Sequence, residues 1–140
     1  MKQRQPDQGF TLIELMIVVV IIGILVGIAV PNFTSMEDRA REAKVKGNMH
    51  SLQLAMEDFA VLNGDIFPTA GDKASVKALM IGGVWPDNPF TGAPLTDADI
   101  PFGSDPTTSG QMGANPVGTT GYIVKGFGKS AILVQTLSSG

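Results

Sequence analysis

Gly9-Phe10-Thr11-Leu12-Ile13-Glu14-Leu15 opens an apolar block that runs on, broken only by glycine, from Leu15 to Val30. Phe10 to Val30 is 21 residues, which as a helix measures about 31 Å at 1.5 Å per residue. The hydrocarbon core of a bilayer is about 30 Å thick, so length and composition suit one membrane crossing. Residues 1–9 ahead of it are short and mostly polar, with Lys2 and Arg4 as their basic side chains. Positive charge stays on the cytoplasmic side, which predicts a single pass with the N-terminus inside. Glu37, Asp38, Arg39, Arg41, Glu42, Lys44 and Lys46 beyond the block carry both signs, which weakens this orientation argument without reversing it.

An ordinary secretory signal peptide is the simplest alternative. It would end its apolar stretch with an Ala-x-Ala-like cleavage site, whereas this one is longer and ends Ala29-Val30-Pro31-Asn32-Phe33. Glu14 is the residue that fits neither a plain anchor nor a signal peptide. An unpaired carboxylate in an apolar helix is costly, so such residues are rare and usually functional. By position alone, Glu14 could equally lie shallow and solvated.

A polar leader, Gly9-Phe10, and Glu14 inside an apolar helix together resemble the type III signal of type IV pilins and type II secretion pseudopilins. The resemblance runs from Gly9 through Leu25 to Ala29-Val30-Pro31. It implies a homo-oligomeric helical filament whose subunits first sit in a bacterial inner membrane and then in a periplasmic or cell-surface fibre. A prepilin peptidase would remove the 1–9 leader after Gly9 and N-methylate the new terminus on Phe10. The Phe10 amine of one subunit would then pair with Glu14 of a neighbour and fix their register, since any other stagger leaves both charges desolvated. An inner-membrane assembly platform, minor pilins and a secretin are the further partners implied. Gly23, Gly27 and Pro31 make the helix weak, because glycine costs up to about 1 kcal/mol in a helix interior and Pro31 removes the amide that would bond Gly27. In related filaments this segment is thought to extend on assembly. Gly23 and Gly27 also have the G-x-x-x-G spacing that permits close helix packing, though glycine is common in membrane helices anyway.

The pattern remains helical beyond Pro31. Val45, Met49, Leu52, Met56 and Phe59 form an apolar stripe at spacings of three and four, and Asn63-Gly64 is a stop signal. A helix from Phe10 to Leu62 would be roughly 80 Å long, too long to bury itself on one small domain. The expected organisation is a leader (1–9), a transmembrane and assembly helix (10–31), an amphipathic half (32–63) and a head (64–140). In the head, Lys73–Met80 reads as a short helix. Trp85-Pro86-Asp87-Asn88-Pro89-Phe90-Thr91-Gly92 reads as a turn whose aromatics pack on the helix. Tyr122–Lys125 and Ala131–Leu137 read as strands of a hairpin turning at Gly126–Ser130. The fold class is α+β, a long helix packed on a small antiparallel sheet.

Residues 93–119 are rich in Gly, Pro, Ser, Thr and Asp and read as one long loop. Asp97, Asp99 and Asp105 in it are candidate calcium ligands, since major pseudopilins use a calcium-stabilised loop here and hard cations take carboxylates. No EF-hand spacing is present, and solvated aspartates are the simpler reading. The 140-residue chain has no cysteine, so the loops cannot be held by disulfides. Its net charge of −3, without a basic run, argues against nucleic acid as a direct partner. One histidine, His50, no nucleophile–base pair and no phosphate loop argue against an enzyme.

The expected function is therefore a structural filament subunit. The cysteine-free small head and the Trp85–Gly92 turn lean toward the major pseudopilin of type II secretion. A major type IV pilin serving adhesion, twitching or DNA uptake is the alternative. A single-pass membrane protein with an outer sensing domain is a remote one.

Overall fold

The computed structural model describes residues 9–118 and 120–138, with side chains as far as Leu133. The leader, apart from Gly9, lies outside the described residues, and so do Lys2 and Arg4. The chain forms two compact units, residues 1–37 and 38–140, described separately below.

Helix α1 spans Leu12–Leu62, 51 residues, and passes through Pro31 without ending. Local side chains serve the carbonyls near that proline. Asn32 Nδ2 donates to the Ile28 carbonyl at 3.3 Å, and Thr34 Oγ1 donates to that of Pro31 at 3.0 Å. In the first unit every large apolar side chain of α1 is exposed to the surroundings, as a membrane or a bundle of identical helices would require.

In the second unit the expected stripe is the core. Val45, Met49, Leu52, Met56 and Phe59 are buried against Val76, Trp85, Ile100, Met112, Tyr122 and Val124. The helix stops where the sequence says it should. Asn63 Nδ2 bonds the Phe59 carbonyl at 2.7 Å, and Gly64 takes the left-handed conformation, φ 70°. Helix α2 follows over Lys73–Leu79.

The sheet is an antiparallel meander in the order β1-β2-β3, with β1 at Met112–Val117, β2 at Gly121–Phe127 and β3 at Ile132–Ser138. The hairpin β2–β3 forms where it was expected, but Gly126 and Phe127 belong to β2 and not to the turn, and the register is irregular between Val124 and Gly126. Strand β1 corrects the reading of 93–119 as one loop. It pairs Met112 with Gly126 and Val117 with Gly121. Met-Gly-Ala-Asn-Pro-Val hides a strand because Gly, Asn and Pro disfavour strands, and Pro116 is tolerated because β1 has only one strand neighbour. Pro101–Gly103 covers part of the other edge of β1. Ala114 N bonds the Pro101 carbonyl at 3.0 Å, and Gly103 N bonds that of Ala114 at 2.8 Å.

Sheet and helix meet closely at Gly126. A Cβ there would lie 2.6 Å from Met49 Sδ and 2.7 Å from Val45 Cγ1, so a bare backbone is what lets β2 cross α1. The following turn grips the same helix: Lys129 N bonds Glu42 Oε1 at 3.2 Å, and its ammonium meets Asp38 Oδ2 at 2.5 Å.

Candidate functional site

Gly9 and Phe10 precede the first turn of α1, with Phe10 exposed and no atom of the other described residues within 4 Å of where a Gly9 Cβ would be. Glu14 sits one turn into the helix and folds back on Thr11. Its Oε2 accepts from the Thr11 amide at 2.9 Å and from the Thr11 hydroxyl at 2.6 Å. Thr11-Leu12-Ile13-Glu14 is thus a capping box: the carboxylate satisfies the first free amide of the helix. The signal, Thr-x-x-acid before an apolar run, is in the sequence but is hidden behind the more conspicuous charge of Glu14.

The arrangement has a chemical consequence. In a single chain Glu14 is held by hydrogen bonds that orient its carboxylate at the helix start, beside the terminus that cleavage after Gly9 would create. Both bonds fall on Oε2, so Oε1 is left for a cationic amine arriving from elsewhere, which adds a full ion pair without displacing Thr11. Gly23, Gly27 and Pro31 lie on the apolar part of α1, and a Cβ at either glycine would meet nothing within 4 Å.

The same Thr-x-x-acid spacing recurs in the head. Asp72 accepts from the Thr69 amide at 2.9 Å and hydroxyl at 2.7 Å, and Asp99 accepts from those of Thr96 at 2.9 and 2.6 Å. This bears on the three calcium candidates, which the structure does not bring together. Asp97 takes the Trp85 indole N–H at 2.5 Å and Lys77 at 3.0 Å, while its backbone carbonyl accepts from Lys73. Asp99 also accepts from Gln111 at 3.2 Å. Asp105 accepts from Lys125 at 2.8 Å and Asn115 at 2.7 Å. Each carboxyl is held below its ordinary range, by the bonds from Trp85, Thr96 and Lys125 respectively. Both oxygens of Asp99 and Asp105 and Oδ1 of Asp97 accept from protein donors, and no trio of metal-ligating side chains is gathered among the described residues. The donor set does not fit a calcium site in this arrangement.

What the sequence reading missed is how the cysteine-free loops are held. Asn88 is the one buried polar residue of the described core. Its Oδ1 accepts from the Phe90 amide at 2.8 Å, and its Nδ2 donates to the Ser109 carbonyl at 2.9 Å, tying the Trp85–Gly92 turn to the loop before β1. Gly110 makes this possible. It has φ 84°, and a Cβ there would stand 1.9 Å from Asn88 Oδ1. Trp85 is buried as expected, and Phe90 lies under the Arg41 guanidinium at 5.8 Å. His50 is exposed and shares a 3.1 Å hydrogen bond with Gln53 Oε1.

Comparison with known proteins puts this geometry in a family. Residues 4–30 match the model of the prokaryotic N-terminal methylation motif. The chain is 37% identical over 145 residues to the type IV major fimbrial protein FimA of Dichelobacter nodosus, an alignment covering 96% of this chain and 82% of FimA. It is 51% identical over 53 residues to the type IV major pilin protein PilA of Myxococcus xanthus, covering 38% of this chain and 24% of PilA. It is 40% identical over 67 residues to the type II secretion system core protein G of Klebsiella michiganensis, covering 48% of this chain and 46% of that protein. The chain thus spans less than half the length of the latter two. No solved structure gives a significant match. With a methylation motif at its start and a relative aligned along nearly its whole length, the chain belongs to the type IV pilin family, in the broad sense that takes in the secretion core proteins.

Proposed function

We propose that this chain is the structural subunit of a type IV pilus-like filament, cleaved after Gly9, methylated on Phe10 and polymerised by packing of its apolar helices. The observation that carries this reading is α1 itself. Its apolar window has none of its residues buried within the chain, and its one carboxylate is Glu14. Such a surface needs a membrane before assembly and neighbouring helices after it. Before assembly the subunit crosses the inner membrane once with its N-terminus cytoplasmic. Prepilin peptidase, an assembly platform, minor pilins and a secretin are its proposed partners.

N-terminal sequencing of the mature protein tests the processing step: the expected product begins at methylated Phe10, and one beginning at Met1 refutes it. Glu14→Ala tests the register step. Cleavage should continue while filament assembly slows sharply, and assembly at the normal rate would show that Glu14 carries no register.

Within the family, the first reading is the major pseudopilin of type II secretion, supported by the cysteine-free head and by the several core protein G relatives. A major type IV pilin is the second, favoured by the near full-length alignment with FimA. Imaging of native cells separates them, because long surface fibres of this subunit are incompatible with a short periplasmic pseudopilus.

A further inference from the structure

Two apolar patches on the head have no partner among the described residues. The first is the tight turn Ile81-Gly82-Gly83-Val84. Ile81 is 88% exposed, more than any other large apolar residue described. Gly82 and Gly83 both lie in the left-handed region, φ 74° and 68°, where any side chain is strained, so the turn holds Ile81 outward. Beside it runs a groove of about 320 Å³, lined by Val84, Trp85 and Asp87 from the turn and by Lys44 and Ser51 from α1.

The second patch is the end of α1. Val61 and Leu62 are 76% and 70% exposed, with Ile66 also exposed just beyond, and Asp58 and Asp65 stand among them. Asp65 is the only described residue other than glycine at positive φ, 64°. Among the described residues, Lys44, Asp58 and Asp65 make no ion pair or side-chain hydrogen bond. A soluble head that exposes apolar side chains next to unpaired charge is marking a contact surface.

The two patches complement one another: one offers an apolar groove with a free cation, the other an apolar knob with free carboxylates. We propose that the Asp58–Leu62 end of one copy seats on the Lys44–Ile81–Val84 groove of the next, with Asp58 facing Lys44. Asp87 also lines the groove, so the incoming carboxylate is steered to the Lys44 side. The inference rests on the filament reading above and names the surface through which neighbouring heads touch. Because the patches occupy different places on one head, the contact is head-to-tail. Each bound pair keeps one free patch of each kind, and the series continues without closing. Lys44 and Asp58 are 14 residues apart on α1, so parallel copies joined this way are staggered by about 21 Å along the helix.

The absence of cysteine makes a clean test. The full chain carrying Ile81→Cys and Leu62→Cys is assembled into filaments, checked by electron microscopy, and mildly oxidised. Both positions are exposed, so neither substitution disturbs the core. The expected result is a ladder of dimers, trimers and larger species on a non-reducing gel, with both single variants remaining monomeric. Lys44→Glu should cut the ladder several-fold, and adding Asp58→Lys should restore it. Normal filaments without an 81–62 ladder overturn this docking while the filament reading stands. So does dimerisation of Ile81→Cys alone, which would mark a symmetric contact, or a ladder indifferent to Lys44→Glu. No filaments from the parent chain overturn both.

Discussion

Gly126→Ala puts a methyl where β2 crosses α1, 2.6 Å from Met49 Sδ and 2.7 Å from Val45 Cγ1. Both neighbours are fully buried and cannot move toward solvent. Met49 is unbranched and can swing aside, but Val45 is stiff at χ1. Ordinary carbon contacts lie at about 3.5–4.0 Å, so the strand must lift from the helix by about 1 Å. Overpacking of this kind costs about 1–3 kcal/mol. For a head of this size each kcal/mol lowers the melting midpoint by about 4–8 °C. The assay is urea unfolding of the full chain in detergent micelles, followed by fluorescence of Trp85, the only tryptophan, which is buried. Repeating it on Val45→Ala and on the double variant isolates the clash. With Cγ1 gone, the added methyl has room, and the coupling energy should fall at about 0.5–3 kcal/mol. If the two losses simply add, steric contact with Val45 is not what reserves position 126 for glycine.

Asn88→Ala takes the partner from the part-buried Ser109 carbonyl and Phe90 amide, so the same unfolding assay should show a loss of about 0.5–1.5 kcal/mol for each bond removed; an unchanged midpoint would mean the knot contributes nothing. Asp97, Asp99 and Asp105 titrate below the ordinary value, so their contribution is complete above the unfolded value of about 3.9 and is lost as pH falls through the depressed folded values. Melting midpoints should therefore be flat near neutrality and drop below about pH 4, and a drop already complete at pH 5 would contradict these assignments. Tyr122 behaves oppositely. Burial and its hydrogen bond to Glu57 push the phenol up from its usual value of about 10, so stability is full below that pH and lost above it. Tyrosinate absorbance reports it directly, since it is the only tyrosine. Ionisation near pH 10 in the folded chain would refute the environment described, and Tyr122→Phe should reduce the alkaline loss, leaving the part due to the lysine ion pairs.

The helix was legible because each of its signals is local. The unbroken apolar run, the three-and-four spacing from Val45 to Phe59 and the Asn63-Gly64 stop act within a few residues of one another, so sequence alone places α1 almost to its ends. The β2–β3 hairpin was legible for the same reason. Strand β1 was not, because Gly113, Asn115 and Pro116 argue locally for a loop. Only pairing with β2, and the approach of Pro101 to within 2.7 Å of where a Gly113 Cβ would be, makes a strand there favourable. Asn88 was invisible for a related reason. Its partner Ser109 lies 21 residues away, and no composition or period marks that pairing. At the N-terminus, Gly9, Phe10 and Glu14 could be read directly, while the bond from Thr11 to Glu14 took coordinates to notice. The three loop aspartates were the least legible, since carboxylates bound to lysine, threonine or indole look the same in sequence as carboxylates that hold a cation.

One unbroken helix supplies both the apolar N-terminal segment and the spine of the head's core. Within the head, a tug along α1 reaches Val45, Met49 and Leu52 through the helix itself. It arrives along the helix axis, so the side chains interlocked with the sheet are loaded in shear, many at once, and are not peeled apart singly. The turn that clamps Asp38 and Glu42 through Lys129 is the first part of the head to feel that tension. A subunit built this way can hand mechanical load to its neighbours without first unravelling its own fold.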